Sequence, residues 1–402
     1  MNHYVRFGAI MALIVFIAAL WPRSNDRSDG TISTPRQLGA SIAPHRERTR
    51  DSESIQPSTP IALGSSSFAV YSDLAVAQMS SDLVYERLVQ QTERRYRRNL
   101  YIIEVGALDG AQAAFAARHG YGVITVEASP VNYRRTHYRL NRLCAPRNDT
   151  RSQTRAPGIS LCNRRLGVRA LWLAASDHFH NVTMNVVGGA GDHIQGAGGK
   201  LALGEEKFFQ GRTKTVTVRA APIDALVRLT KPSTTVYLTK IDVQDHEPMV
   251  LRGMTKWINN VVSDLILIEF RPQGWEHMFP EVSAAAALGT ICGSQKYRCY
   301  FLGLMQQGTM KASFNSSWIS EVSGPSQSIS LLVERIKNTK TPVAPEFGAW
   351  TDILAVADTP RGRSHFTRLL RRGCDDRAKN MSSGNVRFVD GGESVFSTCR
   401  FS

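Results

Sequence analysis

The chain has 402 residues, 42% of them hydrophobic, with a net charge of +15 and a pI of about 9.8. That length is ample for one large core with appendages, which excludes a chain too short to fold unaided. The positive charge makes acidic surfaces natural neighbours. A nucleic-acid partner is not expected: it sits badly with the N-terminal apolar run read below as an anchor, and neither an Asn-Pro-Pro-aromatic nor a Pro-Cys motif is present.

A short tail (1–6) precedes an uncharged apolar run, Phe7–Leu20, bracketed by Tyr4 and Trp21 as interfacial aromatics would be. The run is short for a plasma-membrane span but matches a signal sequence. Ala18-Ala19-Leu20 is a poor cleavage site, so the expectation is a retained signal-anchor over 7–21, with the bulk of the chain luminal, in the Golgi or endoplasmic reticulum. Residues 22–67 are rich in Ser, Thr, Pro and Arg, cannot bury enough apolar surface to fold alone, and read as a solvated stem. A folded domain is expected over 68–358 and a C-terminal extension over 359–402.

Asp73–Arg98 has apolar residues at helical spacing and closes with Arg94, Arg95, Arg97 and Arg98, as suits a helix C-terminus. Leu100–Gly110 follows: a short apolar run, two glycines four apart, then the helix-like Ala111–His119. This predicts a buried parallel strand turning tightly into a helix, with Gly106 letting the backbone turn and approach a ligand. The next strand, Gly122–Val126, ends in Glu127, about twenty residues past the first glycine, where doubly wound folds grip a nucleoside ribose. A dinucleotide would need a middle glycine at its pyrophosphate, and that position is Leu108. S-adenosylmethionine has a ribose and no phosphate, and tolerates the bulkier loop. The cofactor-binding set is therefore Glu104, Gly106, Gly110 and Glu127, with Glu104 either facing the cofactor's amino group or orienting the loop.

Pro130 is placed to start a helix over Val131–Leu143 that exposes Arg134, Arg135, Arg139 and Arg142. Gly167–Ala174 reads as a third strand. Ser176 or Asp177 at its end is a candidate for the adenine amino group, with a surface turn as the alternative. Gly188–Gly204 lacks phosphate-binding spacing and reads as a loop covering the site. Lys214–Arg219 alternates like an edge strand.

Val236–Ile241 is a buried strand with Asp242 at its carboxyl end, where open α/β sheets bind ligands. Lys240, Asp242, Asp245, His246 and Glu247 crowd that tip. Val262–Phe270, ending in Glu269, brings a second carboxylate-bearing tip to the same crevice. Methyl transfer needs donor and acceptor aligned, and an acceptor that carries a proton needs a base within reach. The expected base is Asp242 or His246, with Glu247 and Lys240 orienting; the plainer alternative is that Asp242 caps the next helix. No spacing at this tip is a recognised zinc pattern, so no metal is expected.

These residues carry a resemblance. Glu104-x-Gly106-x-x-x-Gly110, Glu127-x-x-Pro130-x-Asn132, Pro222-Ile223-Asp224-x-Leu226, Lys240-Ile241-Asp242-Val243-Gln244-x-His246-Glu247 with Val250-Leu251-x-Gly253, and Ile268-Glu269 resemble the FkbM-type methyltransferase family over about Leu100 to Asp358. The resemblance implies a Rossmann-like class I methyltransferase fold of the α/β class, a seven-stranded mostly parallel sheet with an antiparallel C-terminal hairpin. Tyr297–Leu304 and Trp350–Ala357 are the candidates for that hairpin, with Ser328–Val333 pairing there as well. It also implies S-adenosylmethionine as cofactor and hydroxyl oxygens of sugars or polyketides as acceptors. The family usually has Gly where Asp245 stands, in the turn after the strand.

Six cysteines, Cys144, Cys162, Cys292, Cys299, Cys374 and Cys399, all lie beyond the anchor and suit an oxidising lumen. Pairing of neighbours along the chain is expected, with free buried thiols the alternative. Asn148, Asn181, Asn315 and Asn380 stand in glycosylation triplets. The tail reads as a wrapping segment pinned by Cys374–Cys399. The whole predicts a luminal O-methyltransferase acting on a glycan or small hydroxylated acceptor; the basic loops suit anionic sugars, with anionic head groups or mere solubility as the alternatives. The rival reading is a non-catalytic luminal binding or trafficking module on the same fold.

Overall fold

The computed structural model describes residues 81–144, 166–186, 192–196, 214–230, 234–304, 320–322, 326–338, 349 and 351–382. The expected anchor and stem, the glycosylation triplets at Asn148 and Asn315, and most of Gly188–Gly204 lie outside them. Among the described residues no helix is long and apolar enough to cross a membrane.

Strands β1 (Leu100–Val105), β2 (Gly122–Glu127), β8 (Thr235–Ile241) and β9 (Ser263–Phe270) are short apolar runs buried on both faces, as parallel strands covered by helices must be. Alternate residues feed opposite cores: Ile103, Val105, Ile124 and Ile266 face one side, Ile102, Val123, Leu238 and Leu265 the other. With β3 (Val168–Trp172) these strands form the parallel array β3-β2-β1-β8-β9. Antiparallel β12 (Thr351–Ala357) then separates β9 from β10 (Tyr297–Leu304). These are the seven strands expected. A two-residue strand, β11 (Ser320–Glu321), adds an eighth at the edge. The chain runs outward from β1 to β3 and returns to lay β8 on the other side of β1, so the switch of direction lies between β1 and β8.

Helix α1 (Ser81–Gln91) covers one face with Val84, Tyr85, Leu88 and Val89. The helix expected to run to Arg98 breaks at Thr92 and resumes for one turn as α2 (Arg94–Arg97). Arg97 folds back to donate to the carbonyls of Thr92 and Gln90, which the break leaves open, and to that of His119. Helix α3 (Ala111–Arg118) follows β1, and α4 (Pro130–Cys144) follows β2 with Pro130 in its first turn.

The third strand is shorter than expected. It leaves the main sheet after Trp172, and β4 (Ala174–Ala175) joins a second sheet of order β4-β7-β5-β6 with β5 (His180–Val186), β6 (His193–Ile194) and β7 (Lys214–Ala221). Over Lys214–Arg219 strand β7 pairs with β5 alone among the described residues, in keeping with an edge.

One expectation is corrected. Ser328–Val333 is not a strand but part of helix α9 (Ser326–Lys337), because Ile329, Leu332, Val333 and Ile336 recur at helical spacing and are buried together. The tail begins against the domain, and its pinning through Cys399 falls outside the described residues. It forms the 23-residue helix α10 (Pro360–Ser382), which buries Phe366 and Leu369 and stacks Phe366 on Tyr300. Cys292 and Cys299 are bonded as expected, and Cys144 is also disulfide-bonded. The pairings expected with Cys162 and Cys399 fall outside the described residues.

Candidate active site

The tips of β1 and β8 lie side by side, with Val105 opposite Ile241. Just beyond, Asp242 N donates to Val105 O at 2.9 Å and Gly106 N donates to Val126 O at 2.9 Å, which stitches three strand ends together. Gly106 has φ +82°, and a Cβ there would stand 1.7 Å from the Asp242 carbonyl oxygen. Only glycine permits that approach.

Glu127 ends β2 with its carboxylate turned toward the same loop. Oε2 accepts from Leu108 N and Oε1 from Ser129 N, each at 2.8 Å. Burial pushes its pKa up to about 7 against the pull of these backbone donors. Glu127, Gly106 and Asp242 line one cavity of about 130 Å³, open at the crevice outside the parallel strands.

Asp242 sits in a polar network. Lys240 Nζ donates to its Oδ2 at 3.1 Å and to Gln112 Oε1 at 2.9 Å. Gln244 Nε2 donates to Asp242 Oδ1 at 3.0 Å and reaches Glu269 Oε2 at 3.4 Å. Burial disfavours the Asp242 carboxylate, but the charge and hydrogen bond of Lys240 outweigh it and hold the group below its ordinary value. Glu269, buried beside this anion, is driven well above the usual carboxylate range. The pair therefore divides into an ionised Asp242 and a protonated Glu269.

Residues 104–293 match the family model described as the FkbM methyltransferase domain. This segment is an FkbM methyltransferase domain. No curated protein sequence matches the chain. Solved structures that align with it include an O-methyltransferase from Bacillus cereus with S-adenosylhomocysteine, at 13% identity over 72% of this chain and 88% of its own, TM-score 0.28. Others are a putative O-methyltransferase from Klebsiella pneumoniae, at 12% identity over 75% and 92%, TM-score 0.28, and the O-methyltransferase TomG from Streptomyces achromogenes with S-adenosylmethionine, at 11% identity over 72% and 90%, TM-score 0.28. Likeness this distant carries no inference about substrate or residue roles.

Within the FkbM domain the remaining expected site residues fall elsewhere. Glu104 does not reach the cavity. It accepts the Tyr85 hydroxyl at 2.5 Å and the backbone N–H of Ala113, so it anchors the first turn of α3; burial raises it to about 7. Gly110, at φ +73°, caps α3 away from the lining. His246 is not placed to act as base. It is buried off the lining, its Nε2 is 3.2 Å from Ser176 Oγ, and its ring meets Phe279 edge-on. Burial lowers its pKa to about 4, which keeps it neutral. Glu247 accepts from Val243 N at 2.7 Å and from Trp275 Nε1 at 2.8 Å, so it shapes the turn from behind. Ser176 and Asp177 also lie off the lining, where Ala175 takes their place. Asp242 does not cap the next helix; the first residue before α5 (Glu247–Arg252) is His246.

The cavity wall includes residues that the sequence reading did not single out as site residues: Leu108, Asn132, Asp192, His193 and Gln244. Asn132 and Gln244 stand in the family motifs, which was the available signal. Asp192 and His193 belong to the glycine-rich segment expected to cover the site, and nothing local marks them. Asp192 accepts the Ser129 hydroxyl at 2.5 Å, and His193 Nε2 lies 3.0 Å from Asn185 Nδ2.

Proposed function

We propose that the FkbM domain binds S-adenosylmethionine at the β1–β8 switch point and methylates a hydroxyl oxygen of a glycan or glycoconjugate in the lumen of the secretory pathway. The observation that carries this reading is that Glu127 and Asp242 line one cavity. The residues suit that cofactor. Glu127 Oε2 accepts from Leu108 N and Oε1 from Ser129 N, and a carboxylate with about four lone-pair sites keeps acceptor capacity for a ribose hydroxyl. Leu108, at φ +50°, fills the place where a pyrophosphate would need glycine.

When bound, the cofactor supplies an electrophilic methyl group. The protein's share is alignment and proton removal. Asp242, ionised and fixed by Lys240 and Gln244, accepts a hydrogen bond from the acceptor hydroxyl and fixes its approach. With the cofactor bound, the methyl group would pass from sulfur to the hydroxyl oxygen and leave a neutral thioether, and Asp242 would take the hydroxyl proton, which becomes strongly acidic as the oxygen is alkylated.

The bonded Cys292–Cys299 and Cys144 support an oxidising compartment. Asn181, in a glycosylation triplet, is exposed on β5. The basic face of α4, with Arg134, Arg135, Arg139 and Arg142 exposed, suits an anionic sugar. The departure at Asp245, which would favour a non-catalytic module, is accommodated by Arg271, whose Nε donates to Asp245 Oδ1 at 2.7 Å.

The test is the methylated-sugar profile of cells lacking the protein. We expect one methylated sugar to disappear and to return with the wild-type chain but not with Asp242→Asn. An unchanged profile, or full rescue by Asp242→Asn, would refute the assignment.

A further inference from the structure

Outside the cavity, one cluster of ligating side chains has no part in the methyl-transfer site. Asp177, His178 and His180 each offer a ligand atom, and these atoms lie within 4.8 Å of one another. We propose that Asp177, His178 and His180 form a site for a borderline divalent transition-metal ion such as zinc, with solvent completing the coordination.

Zinc bonds of about 2.0–2.2 Å place tetrahedral ligand atoms roughly 3.4 Å apart, so modest side-chain rotation closes the set. The donors, two imidazoles and one carboxylate, suit zinc, cobalt or nickel rather than magnesium or calcium. The two rings are already stacked, with centroids 4.1 Å apart and planes at 20°. Asp177 Oδ1 is 2.7 Å from His178 Nδ1. His180 Nδ1 lies 3.0 Å from the His178 carbonyl oxygen. A proton on that nitrogen leaves the Nε2 lone pair of His180 for a metal, the arrangement that orients histidine ligands generally.

Support also comes from behind. Ser176, buried, donates to Asp177 Oδ1 at 3.2 Å, and its Oγ is within 3.2 Å of buried His246 Nε2. The carboxylate is thus held by a chain running from His246 through Ser176. An ion here would pin the loop between Ala175 and β5, and both Ala175 and Met184 of β5 line the cavity. It would brace one wall of the cavity without touching it.

The experiment is a cobalt titration of the untagged full chain in detergent, followed by d–d absorption and displaced with zinc. We expect a tetrahedral cobalt spectrum that zinc abolishes. It should be lost in His178→Ala and in His180→Ala, with affinity weakened about 10–100-fold in Ser176→Ala. The His178 side chain is 67% exposed, so His178→Ala should leave the circular dichroism unchanged and carries the test if the His180 variant misfolds. Absence of cobalt binding to the wild type would overturn the proposal. So would a spectrum that persists in His178→Ala, which would place the metal on other residues.

Discussion

Arg271 grips the carboxylate of Asp245 with two guanidinium nitrogens, Nε meeting Oδ1 at 2.7 Å and Nη2 meeting Oδ2. Asp245 stands in the turn after β8, where the FkbM family usually has glycine. The turn is left-handed at two successive residues, φ +55° at Gln244 and +71° at Asp245. A side chain at the second needs both space and a counter-charge. Space comes from Gly274 in helix α7 (Pro272–Met278), where a Cβ would lie 2.1 Å from Asp245 Oδ1. The charge comes from Arg271, whose side chain is 11% exposed against 1% for Asp245. The departure from glycine is therefore matched from α7 and the residue just before it, and Gln244 stays aimed at Asp242.

Removing one member of this buried pair leaves the other uncompensated. We expect Arg271→Met to destabilise the fold by about 3–5 kcal/mol. The double variant Asp245→Gly/Arg271→Met should recover most of that loss, since the orphaned carboxylate goes with its partner. Urea denaturation of the four proteins of this cycle measures it. Equal destabilisation in the single and double variants would show that Arg271 matters for another reason.

Gly106 offers a sharper case. With φ +82° and a carbonyl oxygen 1.7 Å from where a Cβ would be, Gly106→Ala must separate the tips of β1 and β8. A left-handed alanine costs about 1–2 kcal/mol before any overlap is counted. We expect total destabilisation above about 4 kcal/mol or loss of cofactor binding in whatever folds. Thermal melting and calorimetry report these separately. A variant with wild-type melting and binding would contradict the geometry.

Much of this could be read from residues, and the exceptions share a cause. Strands β1, β2, β8 and β9 are buried on both faces, so their apolar runs are unbroken and their ends stand out. Ser328–Val333 misleads because Ile329, Leu331 and Val333 alternate locally, while the burial pattern from Ile329 to Ile336 is helical. His246 lies four residues past Asp242, yet the two left-handed residues between them turn its ring away from the cavity. The roles of Glu104 and Asp245 depend on Tyr85 and Arg271, 19 and 26 residues away, and no local pattern names such partners.

The pKa of Glu127, about 7 through burial, sets a pH dependence for cofactor binding. The ionised form accepts hydrogen bonds from ribose hydroxyls, and the protonated form has lost part of that capacity. Affinity should therefore rise with pH through about 7 and level off above it, by up to about tenfold per unit on the acid side. Glu127→Gln should bind weakly and flatten the profile. Calorimetry between pH 5.5 and about 8.5 resolves the two forms. A wild-type affinity that falls with rising pH would contradict the assignment.

Stability should run the other way. Burial raises Glu104 and Glu127 to about 7, and Glu247 and Asp352 to about 8. Each binds its proton more tightly when folded, so its contribution is complete below the ordinary carboxylate range and is lost as pH rises through 7–8. Asp242, lowered in the fold, contributes in the opposite sense only at acid pH. The melting temperature should drop between pH 6 and about 8.5, and Glu247→Gln should reduce that slope. A melting temperature that climbs over this range would refute the assignment of these four groups.

The most direct test of the central claim is calorimetric titration of S-adenosylmethionine into the detergent-solubilised full chain, wild type beside Glu127→Ala and Asp242→Asn. We expect one site in the wild type, at least about tenfold weaker binding in Glu127→Ala from loss of the charged acceptor, and near wild-type binding in Asp242→Asn. A folded wild-type chain that takes up no cofactor, or a Glu127→Ala protein that binds as the wild type does, would contradict it.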